Sequence, residues 1–382
     1  MSTSRRTRST VTVVQTTLPG YRTPFFEELS RVLGSRLALF SGDEDWYPDV
    51  RHVNEVPHRR AHNVFLARRR LLWQRGTLKP LLAAEVAVLD LNPRILSAWV
   101  AVLGRRLTGR RTVLWGHAWP RRGEGSWTDR VRSAMRRLAG AVVVYTETEA
   151  RALRAHTRGI EITAAPNALY PRDVLGAAVA QEPPTSLLFV GRLSPSKRVG
   201  VLIDAFLLAE DTLPADVRLL IVGEGSERAA LERRAAGSGR VDFEGHVSSV
   251  DALRELHARA IASVSAGEVG LSIVQSLGFG VPMVVARGED HGPEIEAALE
   301  GENSVYFQPT DATALAAAMS AVVRDREHWL GRRQAIADWT GDRYSIEVMV
   351  DSFLAGLEIE PSLQRDARSR SATSGEQEGS AP

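Results

Sequence analysis

Short apolar runs, each followed by a stretch of helical periodicity, recur along this chain and constrain its fold more than any other feature. Thr12-Val13-Val14-Gln15-Thr16 opens the series, and Phe25, Phe26, Leu29 and Val32 follow at helical spacing. Runs at 37–40, 86–89, 112–115 and 142–145 read as further strands, with helices expected over 66–82, 95–107 and 129–138. Strands in alternation with helices predict a parallel sheet covered on both faces. The series breaks at 169–186, where Pro171, Pro183 and Pro184 accompany a run of small residues at 176–180. It restarts with strands at 187–190, 219–222, 241–243, 262–265 and 283–285. The fold class expected is α/β with two Rossmann-like domains, and a length of 382 residues suffices for two cores. The predicted organisation is a basic tail over 1–10, a domain over 11–175, a linker over 176–186 and a second domain over 187–343. A closing helix over 344–358 and a polar, disordered tail over 361–382 complete it.

Composition narrows the chemistry. The chain has no cysteine, which removes disulfides, thiolate metal sites and a cysteine nucleophile together. No run approaches the ~20 apolar residues of a membrane span. The first ten residues lack the apolar segment of a secretory signal, so the expected location is the cytoplasm. Charge is divided unequally. Residues 1–175 carry 29 Lys or Arg against 15 Asp or Glu, and residues 176–382 carry 19 against 31. A basic half implies an anionic partner. Its cations are interleaved with apolar groups at Arg68-Arg69-Arg70-Leu71-Leu72-Trp73, at Arg105, Arg106, Arg110 and Arg111, and at Trp119-Pro120-Arg121-Arg122. That pattern suits docking on the anionic inner face of a membrane and a lipid-linked acceptor. The bland alternative is a solvated arginine surface. Nucleic acid is not expected, because no binding module accompanies the charge.

The most informative stretch is Leu187-Leu188-Phe189-Val190-Gly191-Arg192-Leu193-Ser194-Pro195-Ser196-Lys197-Arg198. A buried strand ends at a Gly-Arg turn, and Ser194 is placed to cap a helix whose first turn holds Pro195 and Lys197. Backbone N–H groups, a helix dipole and two cations there would seat a phosphate. Only Lys79 and Lys197 are lysines in a chain that otherwise uses arginine, which suggests that Lys197 answers a local demand. Two further loops follow strands in the same half: Gly223-Glu224-Gly225-Ser226, and the glycine-rich stretch from Gly267 to Pro282 with Glu268, Gly270, Leu271 and Gln275.

Taken together, Phe189 to Leu193 with Lys197, Ile221 to Gly225, Val241-Asp242-Phe243-Glu244-Gly245 and the stretch from Gly267 to Pro282 resemble the retaining glycosyltransferases of family 4. Order and spacing match over roughly 185–310. The N-terminal half is similar more loosely, through the loop at Gly20, His117 after a strand, and Pro166-Asn167-Ala168. The resemblance implies a GT-B fold, two facing domains with a cleft between them, and transfer of a sugar from a nucleotide-diphosphate-sugar, UDP- or GDP-linked, to a sugar or lipid-linked acceptor, as in the assembly of a polysaccharide or another cell-surface glycan. Arg192 and Lys197 would hold the diphosphate and stabilise its charge as the glycosidic bond breaks, with neither a metal nor another cofactor required. Gly191, Gly223, Gly267, Glu268, Gly270 and Leu271 would line the donor, Val247 would contact the base, and Gly20 with Arg22 would add a phosphate contact. His117 would orient the donor sugar. The closing helix would cross back to the first domain.

The chain departs from the family at one motif. Two glutamates separated by seven residues are usual, and in this register they fall on Gly267, with Glu268 one place later, and on Gln275. This Gly-x-Val-Gly-Leu form resembles a subgroup of the family. Gln275 can still bond ribose hydroxyls, less tightly than a carboxylate. An epimerase acting on the nucleotide-sugar alone and a non-catalytic binding subunit remain as alternatives. Asp43-Glu44-Asp45 formally matches the acid-x-acid metal pattern, but its place in a polar loop near Asp49 reads as a solvated turn. Asp90 with Asn92 reads as a loop-ordering pair, and His291-Gly292-Pro293-Glu294 would border the donor pocket.

Overall fold

The computed structural model describes residues 10–46, 56–120, 123–309 and 311–360. Residues 1–9 and 361–382 of the expected tails, with Asp49, Arg121 and Arg122, lie outside them. The chain forms two compact units, Met1–Ala165 with Met349–Pro382, and Pro166–Val348.

The first unit contains β1 (Val11–Gln15), α1 (Thr23–Leu33), β2 (Leu37–Gly42), β3 (Arg59–Leu66), β4 (Leu71–Arg75), α2 (Leu78–Ala83) and β5 (Val86–Asp90). It continues through α3 (Leu96–Leu107), β6 (Arg111–Trp115), α4 (Trp127–Ala139), β7 (Gly140–Val144), α5 (Glu147–His156) and β8 (Glu161–Ala164). The strands form one sheet in the order β4-β3-β2-β1-β5-β6-β7-β8. Every neighbouring pair is parallel except β3 and β4. The C-terminal segment returns to this unit: Phe353 packs edge-on to Phe25, with ring centroids 5.3 Å apart, and lies 4.8 Å from Trp115.

The second unit contains β9 (Ser186–Val190), α6 (Val199–Ala209), β10 (Arg218–Val222), α7 (Arg228–Ala235), β11 (Val241–Gly245), α8 (Val250–Ala258) and β12 (Ala260–Ser265). It closes with α9 (Ser272–Gly278), β13 (Met283–Ala286), β14 (Ser304–Phe307), α10 (Ala312–Arg324) and α11 (Arg326–Tyr344); α12 (Ile346–Gly356) follows and ends in the first unit. Its six strands are all parallel, in the order β11-β10-β9-β12-β13-β14. All six residues of β12 are buried, Ser263 and Ser265 included, as in a strand covered on both faces. Each unit is thus a Rossmann-like α/β fold, as the alternation predicts. In each sheet the connection reverses beside the first strand, between β1 and β5 and between β9 and β12. Open α/β sheets bind ligands outside the strand C-termini at such a point.

Three local expectations need correction. The helix expected over 66–82 is a hairpin of β3 and β4 followed by the short α2. Phe65 faces Leu72 and Val64 faces Trp73 across the hairpin, and Gly76 at φ +86° ends any helical continuation. The tight turn places Ala67, Arg68 and Arg69 in the left-handed region, at a cost of about 1–2 kcal/mol each. Arg69 offsets part of that cost by stacking 3.8 Å over Phe65 and pairing with Glu44 at 2.6 Å. The stretch expected as a linker is docked, not free: the Gly176 and Ala178 N–H groups donate to Gly278 and Phe279 carbonyls at 3.0 and 2.9 Å. Finally, Arg105 is not a surface cation. It is fully buried and donates to the carbonyls of Leu81, Ala84, Glu85 and Arg111. Strands β8 and β14 went unanticipated, being four residues long and half polar.

His257 in α8 is buried, with its Nδ1–H donating to the Leu253 carbonyl at 2.7 Å, and burial pushes its pKa down to about 4. The fold therefore holds a neutral imidazole that titrates near 6.5 once unfolded. Between those values the unfolded chain binds the additional proton, so stability present at pH 7 is lost as pH falls from about 6.5 toward 4. Urea titrations at pH 7 and pH 5 are expected to show about 2 kcal/mol of pH-dependent loss that His257→Gln lacks. Equal pH dependence in both proteins would refute this.

Candidate active site

Loops after β9, β10 and β12 interlock at the C-terminal edge of the second sheet. The Gly191 N–H donates to the Val222 carbonyl at 3.0 Å, and Leu193 N–H to Glu224 at 2.9 Å. Gly223 sits at φ +142°, and a Cβ there would run into the Gly191 carbonyl. Gly267 is needed for a similar reason: a Cβ would strike the Ser196 carbonyl and lie 2.9 Å from the carbonyl carbon of Lys197. The Glu268 N–H then donates to the Ser196 carbonyl at 2.9 Å, tying the β12 loop to the β9 loop.

Lys197 completes this tie. Its Nζ donates to the Glu268 carbonyl at 2.8 Å and lies 3.9 Å from the Glu268 carboxylate. Burial holds its pKa below the usual lysine value, against the attraction of Glu268 and in the same sense as repulsion from Arg192. Arg192 is exposed, and its guanidinium makes no ion pair among the described residues. Lys197 thus feels the carboxylates of Glu268 and Glu294, whereas Arg192 has no ion-pair partner among the described residues, a cation that an anion at this turn would pair. The expected helix cap is not formed. Ser194 makes no side-chain cap; Pro195 to Lys197 form a 3-10 turn, and Arg198 enters α6 at φ +50° while pairing with Glu289 at 2.7 Å.

The loop into α9 leads to Gln275. Gln275 is buried, and its Oε1 accepts from the Tyr170 hydroxyl at 3.0 Å while its Nε2 has no partner among the described residues. The buried Glu294 accepts from Asn167 Nδ2 at 2.7 Å, and Asn167 Oδ1 is likewise unpartnered. A Cβ on Gly270 would lie 3.9 Å from the Glu294 carboxylate. His291 holds the same loop: its Nδ1 accepts from the Val269 N–H at 3.1 Å, and its Nε2–H donates to the Ala286 carbonyl at 2.8 Å. Unpartnered buried amide atoms are costly, about 1–3 kcal/mol each, and they are places where a ligand can complete the bonding. Sequence reasoning singled out Gln275 and Glu294 but gave no sign of Tyr170. Val247 packs beside Val190 at the edge of a small apolar cluster, and Leu271 precedes the first turn of α9.

In the first unit, Gly20 opens a 3-10 turn that delivers Arg22 into the interior. The Arg22 guanidinium donates to the Tyr145 hydroxyl at 2.7 Å and lies 4.5 Å from the Trp115 ring. Burial alone would lower its pKa, but the fields of Tyr145, Tyr21 and Asp90 outweigh it and hold the group charged. Asp90 accepts from the Thr16 N–H and hydroxyl, both at 2.7 Å; burial still raises its pKa. His117 is exposed, edge-on to Tyr145 at 4.8 Å and 3.5 Å from Glu149. Asp43 is engaged by the Asn63 N–H, His62 and Arg60, and among the described residues no three acidic, histidine or cysteine side chains gather as metal ligands.

Residues 184–325 match the family described as Glycosyl transferases group 1. A GDP-mannose-dependent alpha-(1-6)-phosphatidylinositol dimannoside mannosyltransferase of Mycobacterium tuberculosis is 36% identical over 161 residues, covering 41% of this chain and 42% of that protein. The match therefore spans less than half of either. Among solved structures, Anabaena HepE in complex with UDP superposes with a TM-score of 0.67 at 16% identity, covering 95% of this chain and 100% of the other. Sucrose-phosphate synthase from Thermosynechococcus elongatus gives 0.62 at 16% identity, with 96% and 100% covered. At these identities the structures speak for the fold.

The packing at Gly267 is testable directly. Gly267→Ala is expected to weaken binding of a nucleoside diphosphate about tenfold, roughly 1.4 kcal/mol by calorimetry. Gly237→Ala, whose Cβ would meet nothing within 4 Å, is expected to leave affinity unchanged. Equal affinities for both variants would show that this close approach does not shape the seat.

Proposed function

We propose that the chain is a retaining glycosyltransferase of the GT-B class. It moves a hexose from a nucleoside-diphosphate-hexose to a hydroxyl of a lipid-carried glycan. The observation that carries this reading is the half-buried Lys197, tied to the Glu268 loop beside an Arg192 without an ion pair among the described residues, at the sheet's reversal point. The mannosyltransferase relative makes GDP-mannose the first donor to test and a phosphoinositide-type lipid the first acceptor.

In the reaction, the bond between the sugar's anomeric carbon and the leaving phosphate oxygen breaks. Both bonding electrons depart with the nucleoside diphosphate. The acceptor hydroxyl oxygen bonds to the same face of that carbon, and its proton passes to the leaving phosphate. Arg192 and Lys197 supply positive charge where negative charge develops, the largest catalytic contribution in most such reactions, and so take the place of a metal ion. Gln275 Nε2 and Asn167 Oδ1 offer a donor and an acceptor to donor hydroxyls. Gly191, Gly223, Gly267, Gly270 and Leu271 let the backbone approach the donor, with Val247 near the base. His117 orients the sugar, and Arg22 with Gly20 orders the loop after β1. The protein works at the cytoplasmic side of a membrane.

Thermal shifts with GDP, UDP and ADP, then with their sugars, identify the donor. Arg192→Ala and Lys197→Ala are each expected to lower transfer by 10³-fold or more, about 4 kcal/mol, without changing the circular dichroism spectrum. Near-normal turnover in the double variant would refute the proposal. An altered sugar formed from donor alone would favour an epimerase, and donor binding without turnover that Gln275→Glu restores would favour a degenerate binding subunit.

A further inference from the structure

Of the ten large apolar side chains left exposed among the described residues, six lie on α2, α3 and α4 of the first unit. Val100, Leu103 and Leu107 share one stripe of α3, spaced three and four residues apart, and Leu107 is 89% exposed. On α4, Trp127 is 65% exposed and Val131 lies one turn away. A soluble surface does not normally concentrate its apolar groups on adjacent helices, and such a concentration marks an interaction face.

Beside these helices lies a groove of about 820 Å³ between the end of the β3–β4 turn, the loop after β5, and α4. Leu71, Pro93, Trp127 and Val131 give it apolar walls, Arg70 and Arg132 supply charge, and among the described residues no carboxylate lines it. Arg94 braces the rim by donating to the Arg69 and Arg70 carbonyls at 2.7 and 2.9 Å and stacking 3.7 Å over Trp46. The Arg132 Nε is buried without a partner. Arg70, Arg106 and Arg130 are exposed, and their guanidinium groups have no ion pair among the described residues, unlike the carbonyl-bound Arg105 and the Glu161-paired Arg111.

We propose that this face seats the first unit on anionic phospholipid. The apolar stripe lies at the level of the acyl chains, one lipid occupies the groove, and the free arginines pair with phosphates. The volume and apolar walls exceed what a free phosphate needs, and a groove whose described lining holds arginines and no carboxylate selects an anionic headgroup. This extends the lipid-carried acceptor proposed above but is tested by binding alone.

The test is co-sedimentation of the full chain with vesicles of phosphatidylcholine, with and without one-third phosphatidylglycerol. Wild type is expected to partition onto the anionic vesicles about tenfold more strongly than onto neutral ones. The exposed pair Leu103→Ser with Trp127→Ser is expected to lose about tenfold of that partition with unchanged melting temperature and nucleotide affinity. Arg70→Gln with Arg106→Gln is expected to lose the anionic preference. Phosphatidylglycerol brominated on its acyl chains should quench a fluorescence component that Trp127→Phe lacks. Equal partition onto both vesicles, an unaffected apolar double variant, or no Trp127 quenching would each overturn the proposal. A failure here that leaves donor binding intact does not touch the donor-site reading.

Discussion

The second unit's site depends on how closely one loop can approach another. Gly267 lies against the Ser196 and Lys197 carbonyls, where any side chain would collide, and the Glu268 N–H bonds to Ser196 across that contact. Once the loops are in register, the Glu268 carbonyl accepts from Lys197 and fixes its ammonium at the mouth of β9. The positive charge is thus placed by backbone packing, in a half-buried position. Gly223 does the equivalent work on the other side, against Gly191.

The first unit handles its charge differently. Many arginines that suggest a basic surface are used on the backbone: Arg105 closes the carbonyl ends around α2, and Arg136 bonds the Ala118 carbonyl and Asp129. Arg22 is the interior counterpart, a buried cation bonded to Tyr145 and stacked near Trp115. Three exposed arginines without an ion pair among the described residues, Arg70, Arg106 and Arg130, lie on or beside the exposed apolar helices.

Much of the architecture was legible in local pattern. The all-apolar strands at 187–190 and 219–222 could only be central strands, and Val199, Leu202, Ile203 and Phe206 could only face a core; all four are buried. The 66–82 segment was misread because Phe65, Leu71, Leu72 and Trp73 satisfy helical and hairpin spacing alike. Pairing of β3 beside β2 decides between them. Within the site, Gly191, Arg192, Lys197 and Gly267 were visible because strand ends, glycines and a rare lysine coincide. Tyr170 and Asn167 were not assigned there, since their partners Gln275 and Glu294 lie more than a hundred residues away.

The sequence by itself determined the two α/β repeats, the glycine positions and the residues that carry charge at the β9 turn, because each follows from periodicity or from a steric demand within a few residues. Only the tertiary structure decided which cations are free, which amide atoms lack partners and that Ser194 does not cap. Those outcomes depend on long-range packing: on the β12 loop meeting the β9 turn, and on helices whose carbonyl ends claim some arginines and leave others to the surface.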